Sequence, residues 1–311
     1  MDKLIVSSPP HIISRSTTMS IMLDVIIALL PAAVASVILF GLPAFVILAV
    51  CVSTAVVSEF VFNLIVKKEQ TIGDLSAVVT GLLLGLNLPA TANVWHCIVG
   101  SVFAIVVVKC LFGGIGCNFA NPAITARVFL LVSFSSSIAG GTATRFAELT
   151  SGATPLYLIK NYGTNLPSLS DMFLGIRGGA IGETCALALI IGFVYLVVRR
   201  VINWEIPVIF VGTVFVLSLV IRGDITVALY EVLGGGLLIG AIFMATDYVS
   251  SPVSRSGKRV FALGCGLITV LIRFYGGYPE GVSFAILLMN ILSPYIERLC
   301  RSKPLGGVKN A

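Results

Sequence analysis

Apolar residues along this chain gather into blocks of about 20, separated by short polar breaks rich in glycine, proline or basic residues. That is the length an α-helix needs to cross a hydrocarbon core about 30 Å thick. The blocks lie near 19–40, 43–66, 75–88, 93–112, 118–135, 180–199, 204–222, 225–246, 258–275 and 278–298. They predict an all-α polytopic membrane protein with about ten transmembrane helices. The third block is short enough to be a broken or re-entrant segment. The run Gly113-Gly114-Ile115-Gly116 beside Asn121-Pro122 interrupts any helix entering the fifth. Non-helical backbone at membrane depth is tolerated only where it lines a protein-walled cavity, so both places are candidates for one.

The two halves echo each other. Gly81-Leu82-Leu83-Leu84-Gly85 recurs as Gly236-Leu237-Leu238-Ile239-Gly240, and Phe112-Gly113-Gly114 as Tyr275-Gly276-Gly277, in the same order and offset by about half the chain. Five spans per half is an odd number, so the second half must cross in the opposite sense. The expected architecture is two inverted five-helix repeats, residues 1–135 and 180–311, joined by a long extramembrane loop over 136–179. The bland alternative is that these glycines serve only close helix packing.

Composition agrees with lipid as the main solvent: 57% of the 311 residues are hydrophobic and 11% charged, and the mean hydropathy is +1.05. The segment before the first block, with Pro9, Pro10 and His11, lacks the small-residue cleavage site of a secretory signal, so that block is expected to stay as a span. The net charge of +6 does not point to nucleic acid, because Lys and Arg sit in short clusters between apolar blocks. Lys67, Lys68, Arg199, Arg200, Arg255, Lys258 and Arg259 all fall on the side of the termini, which makes both termini cytoplasmic and the 136–179 loop extracytoplasmic. The seven cysteines include no C-x-x-C pair, which argues against a zinc site, a disulfide framework or iron–sulfur ligation by this chain. The glycine runs lie within apolar blocks and not between a strand and a helix, so there is no dinucleotide fingerprint.

Asp24, Glu59, Arg127, Glu183, Glu231 and Asp247 fall in or near the ends of spans. An unpaired charge there costs several kcal/mol and usually faces a protein-lined cavity. Asp247, at the end of the eighth block, and Asp24, about one turn inside the first, are the candidates for ion coupling, although Asp24 is close enough to the surface simply to reach it. His96 beside Trp95 is read as part of an interfacial aromatic belt.

The loop contains Ser151-Gly152-Ala153-Thr154-Pro155. A threonine hydroxyl accepts a phosphoryl group as an ester; Gly152 and Ala153 leave room for it, and Pro155 biases Thr154 away from helix. Glu148, six residues upstream, supplies an acid to orient a modifying enzyme or a metal-bound flavin dinucleotide. Taken alone the tetrapeptide is equally an ordinary Ser/Thr turn.

Its surroundings decide between the two. The segment Leu23 to Ala32, the run Phe112 to Ala123, Met244-Ala245-Thr246-Asp247-Tyr248 with Ser251-Pro252, and Gly276-Gly277-Tyr278-Pro279-Glu280-Gly281 together resemble the RnfD component of the Rnf complex and its relative, the NqrB component of the sodium-pumping NADH:quinone oxidoreductase, over nearly the whole chain. In that family a transferase moves the FMN part of FAD onto a threonine. The resemblance implies an FMN phosphoester on Thr154, with Ser151, Gly152 and Ala153 as its motif. Hydrogen bonds near such a ring would stabilise its reduced forms, which makes Asn118, at a span end, a candidate contact; Arg127, deep in the fifth block, either pairs with one of the acids or holds an anionic flavin group. Arg145 and Arg177 are further candidates to face the ring. One departure is visible: Glu148 stands where the family usually has Asp.

The resemblance further implies a bacterial plasma-membrane component of a redox-driven ion translocase, not catalytic alone, in a complex coupling ferredoxin:NAD electron transfer to Na⁺ or H⁺ movement. Its partners would be the iron–sulfur and NAD-binding subunits of that complex, a flavin transferase during maturation, and membrane lipid. The relative's non-covalent riboflavin extends the expectation to a second flavin. A channel or secondary transporter for a small solute is the rival reading, since an inverted repeat with broken helices serves one without any flavin.

Overall fold

The computed structural model describes residues 17–139, 142, 144–145, 154–160, 166–278 and 280–300. These residues are helical, with no strand among them. Helix α1 (Thr18–Phe40) opens on a capping box in which Thr17 and Ser20 satisfy each other's backbone. It turns through the single residue Gly41, at φ +76°, into α2 (Leu42–Val66). Gly41 is needed twice over, since a Cβ there would also overlap the Arg145 guanidinium. Then come α3 (Ser76–Leu86), α4 (Val94–Cys110) and α5 (Pro122–Ser133). The end of α4, from Phe103 on, is wound as a π-helix.

Short helices α6 (Ser135–Ile138), α7 (Pro155–Lys160) and α8 (Leu169–Leu174) occupy the connecting stretch. The second half consists of α9 (Ala186–Val198), α10 (Glu205–Arg222), α11 (Ile225–Leu233), α12 (Leu237–Met244), α13 (Arg255–Tyr275) and α14 (Val282–Leu299).

Each predicted block contains helix, but not ten full spans. Among the described residues only α1, α2, α10 and α14 are long and apolar enough to cross a membrane unaided, and α11 with α12 makes a fifth if that pair, bent by 60°, counts as one. Helix α9 has 13 residues, about 20 Å of rise against a core of about 30 Å. Helix α13 is long enough at 21 residues but carries Arg255, Lys258, Arg259 and Arg273. The sixth block starts late because 177–185 is irregular, and the fifth because Asn121 caps α5 by accepting from the Ala123 and Ile124 amides at 3.0 and 3.3 Å.

The outer surface is apolar, unlike that of a water-soluble bundle, and the inner faces mix small and polar residues with large apolar ones. On α1, Leu23, Ile27, Leu30, Val34 and Ile38 are exposed, while Asp24, Ala28, Leu29, Ala32 and Ser36 are buried. Glycines set the closest approaches. A Cβ on Gly81 would lie 2.8 Å from the Cys51 carbonyl and the Val52 Cα, so α3 rests directly on α2. Here the packing reading of the glycine echo holds. Its partner Gly236 does something else: it is left-handed, at φ +66°, and marks the break between α11 and α12.

Helices α3 and α4 pack on α2, and α12 and α13 on α10; α5 packs on α4, and α14 on α13. Between the halves α1 lies on α9, and α5 touches α14. One hydrophobic core runs through both, including Leu29, Leu84, Leu130, Phe210, Phe261 and Ile286.

Candidate functional site

The polar residues collect at three levels. At the end where α1 begins, a cavity of about 100 Å³ is lined by Ser76, Thr80, Lys109, Asn118, Asn121 and Asp247 among apolar neighbours from α1 and α9. Lys109 is 2% exposed and donates to Glu59 Oε1 at 2.7 Å and to Ser76 Oγ at 2.5 Å. Thr71 adds a hydroxyl to the same Glu59 oxygen at 2.6 Å. Asn121 Nδ2 reaches the Met244 carbonyl at 3.4 Å and ties the start of α5 to the end of α12. Asn118 Oδ1 is buried without a partner among the described residues. Asp247 accepts from Ser250 Oγ at 2.8 Å, and burial pushes its carboxyl above the usual range. Asp24 is already engaged, by Tyr195 Oη at 2.9 Å and the Arg199 guanidinium at 3.2 and 3.3 Å.

Midway, Arg127 donates to the backbone and side-chain oxygens of Asn87 at the end of α3 and to the Glu280 carboxylate. Arg127 does not line the cavity that holds Asn118, and its charge is paired within the protein.

At the opposite end, where α1 finishes, lies the Thr154 segment. The amide of Arg145 donates to the Leu39 carbonyl there, and Gly175 packs on the Leu39 side chain. Thr154 precedes α7 and caps it: its Oγ1 accepts from the Tyr157 amide at 3.3 Å, and its carbonyl accepts from the Leu158 amide at 3.1 Å. The residue is only 5% exposed, which corrects the expectation of an accessible hydroxyl. Ser151, Gly152, Ala153 and Glu148 lie outside the described residues. Next to Thr154, Leu156 fills the space above the helix break, where a Cβ on Gly235 would fall 2.2 Å from its Cδ1. Lys160 Nζ donates to the carbonyls of Gly276 and Tyr278, so α7 is held at both ends.

Under α7 the broken helix leaves carbonyls that no amide can reach, and two arginines take them. Arg273 donates to Glu231 Oε2 at 2.9 Å, to the Glu231 carbonyl at 2.5 Å and to Gly234 O at 3.2 Å. Arg177, 2% exposed, donates to the carbonyls of Leu233 and Glu183, each at 2.7 Å. Burial lowers its guanidinium from the ordinary range, with Glu183 and Glu280 opposing. Arg145 covers Gly41 instead.

Sequence reasoning missed Lys109, Arg273 and Glu280. By sequence Lys109 and Arg273 count only as face-setting charges, yet each stands two or three residues ahead of the repeated aromatic-Gly-Gly, which was the available signal.

The model of the NQR2, RnfD, RnfE family matches residues 5–306. The chain belongs to that family. It is 48% identical, over 98% of its length and 96% of the relative's, to the D component of the Na⁺-translocating ferredoxin:NAD⁺ oxidoreductase complex of Acetobacterium woodii. It is 38% identical, over 97% and 96%, to the D component of the proton-translocating complex of Clostridium ljungdahlii. A third relative, the D component of an ion-translocating oxidoreductase complex of Methanosarcina acetivorans, aligns from end to end at 34% identity. These relatives are subunits of redox-driven ion translocases, and the family signature covers all three polar levels.

Proposed function

We propose that this chain is a membrane electron-transfer subunit carrying FMN as a phosphoester on Thr154, in a complex that couples electron transfer between ferredoxin and NAD⁺ to Na⁺ or H⁺ translocation. The observation that carries the reading is the position of Thr154: a hydroxyl at the base of a short helix pinned on a broken helix. The donor chemistry fits the group, because an ester oxygen at Oγ1 can still accept from the Tyr157 amide. When bound, the flavin supplies the redox chemistry. The chain's own part is placement. Leu156 and Lys160 fix the tether relative to the Arg273 and Arg177 caps. Since Thr154 is buried, its modification requires the 154–160 segment to lift or to be loaded before it docks.

The riboflavin expectation receives no residues. At about 100 Å³ the cavity holding Asn118 is well below the roughly 300 Å³ of small ligand pockets, so it does not fit a flavin ring as it stands.

The ten-span inverted repeat is retained as part of this proposal, supported by the matched packing of the halves and by α1 and α5 meeting α9 and α14, as equivalents meet across a two-fold axis. The positive-inside tendency then puts both termini in the cytoplasm and Thr154 outside. The partners are the iron–sulfur and NAD-binding subunits and a flavin transferase.

The 60° break in α11–α12 also suits a solute channel or secondary transporter. In-gel flavin fluorescence separates the readings. Protein co-expressed with a flavin transferase should fluoresce after denaturation, and Thr154→Val should abolish the signal. A dark wild-type band would remove the redox-carrier reading, and a bright Thr154→Val band would move the site.

A further inference from the structure

Between the end of α3 and the break in α11–α12 stands a carboxylate that nothing so far has used. Glu183 is 3% exposed, and among the described residues neither of its side-chain oxygens has a hydrogen-bond partner. Its segment is firmly placed: the amides of Ile181 and Gly182 donate to the carbonyls of Leu88 and Leu86, and the Ile181 carbonyl accepts from Ser36 Oγ at 2.9 Å. The carboxylate is therefore not a loose side chain. It lies between two glycines, since a Cβ on Gly179 would meet its Oε1 at 2.6 Å and one on Gly236 its Oε2 at 3.3 Å. Gly236 also lines a small cavity with Asn87, Arg127, Gly235 and Glu280, about the size of one water molecule.

We infer that Glu183 is a proton-exchanging carboxyl at the interface between the two halves. The charged groups around it come in two closed pairs and one open cation. Arg127 is paired with Glu280, and Arg273 with Glu231. Arg177 donates to carbonyls through Nε and Nη2 and leaves Nη1 unpartnered among the described residues. Burial and the Glu280 carboxylate favour the neutral carboxyl, while Arg177 and Arg127 favour the carboxylate. Two opposing influences of this kind hold a site near balance, as proton exchange requires. A sodium ion fits less well. It would need several oxygen ligands, and the carbonyls of Glu183, Leu233, Glu231 and Gly234 are already taken by the two guanidinium groups. The inference rests on the ion-translocating reading above and gives it a residue.

The test is carbodiimide labelling, which modifies protonated carboxyls in apolar surroundings, applied to membranes holding the intact complex and read by peptide mass spectrometry. A Glu183 adduct is expected, falling about tenfold per pH unit once the carboxyl is mostly ionised and unaffected by exchanging Na⁺ for another monovalent cation. Glu183→Gln should keep in-gel flavin fluorescence and lose severalfold in ions moved per electron, with Glu183→Asp recovering part of it. Absence of an adduct at every pH would overturn the assignment, as would protection by Na⁺ or unchanged translocation in Glu183→Gln. If Glu183→Gln fails to assemble, the pH profile of wild-type labelling decides. Because labelling needs no flavin, its outcome is separate from the fate of the Thr154 site.

Discussion

Lys109 and Arg273 hold matching places in the two halves: each ends a helix that packs on α2 or α10, and each precedes an aromatic residue and two glycines. Each is almost fully buried and paired with a glutamate from its own half. Yet they sit at opposite ends of the bundle. Lys109 shares a cavity with Ile21 and Met22 near the start of α1, whereas Arg273 lies under the Thr154 helix, at the end where α1 finishes. The difference in residue type follows from the backbone. Around Lys109 the other polar groups are side chains, Ser76 and Thr71, and a compact ammonium with three donors suffices. Around Arg273 the helix is broken, and the fork of five donors serves a carboxylate and stranded carbonyls together.

The comparison breaks most visibly if the charge is removed. Arg273→Met strands Glu231 and the carbonyls of the break, and should cost about 3–5 kcal/mol, the range for opening a buried pair. Lys109→Met should cost less, because Thr71 still donates to Glu59. Thermal midpoints of the detergent-solubilised complex measure both, and equal losses would contradict the claim that Arg273 holds backbone as well as charge. Arg273→Lys sharpens the point. It keeps the charge and the Glu231 partner but cannot span the carbonyls, so a loss of about 1–3 kcal/mol is expected from buried acceptors left unmet. A wild-type midpoint in Arg273→Lys would show the fork to be dispensable.

How far the sequence carried this picture depends on which physical signal each feature leaves. Apolar blocks of span length marked every major helix, because lipid exposure demands a continuous run of large side chains, as on the outer face of α1. The break at Gly234 to Gly236 was visible only as an echo of Gly81 and Gly85, since glycine has the same letter whether it admits a close neighbour or a left-handed turn. The π-helix in α4 leaves no periodic trace in eight residues. The burial of Thr154 was not legible, because the helix that follows it is seated by Leu156 on the distant Gly235. Asp24, Glu59, Arg127, Glu183, Glu231 and Asp247 were legible as charges in apolar surroundings. Their partners were not, because Arg127–Glu280 spans 153 residues and Arg273–Glu231 spans 42.

A third pair tests the limit of the comparison. Asp24 and Arg199 join α1 to α9, the contact between the halves, but the Arg199 side chain is 57% exposed where Lys109 and Arg273 are each 2%. Water can replace a partner there, so the pair should contribute little to stability. Asp24→Asn keeps an oxygen for Tyr195 and should leave the thermal midpoint of the complex unresolved from wild type. A fall as large as that of Lys109→Met would mean that place in the fold, and not burial, sets what an ion pair is worth here. A normal midpoint with lost ion translocation would return Asp24 to ion coupling. The burial argument requires that both midpoint and translocation stay at the wild-type value, since an aspartate already satisfied by a phenol and a guanidinium at the rim has no free oxygen to offer a passing cation.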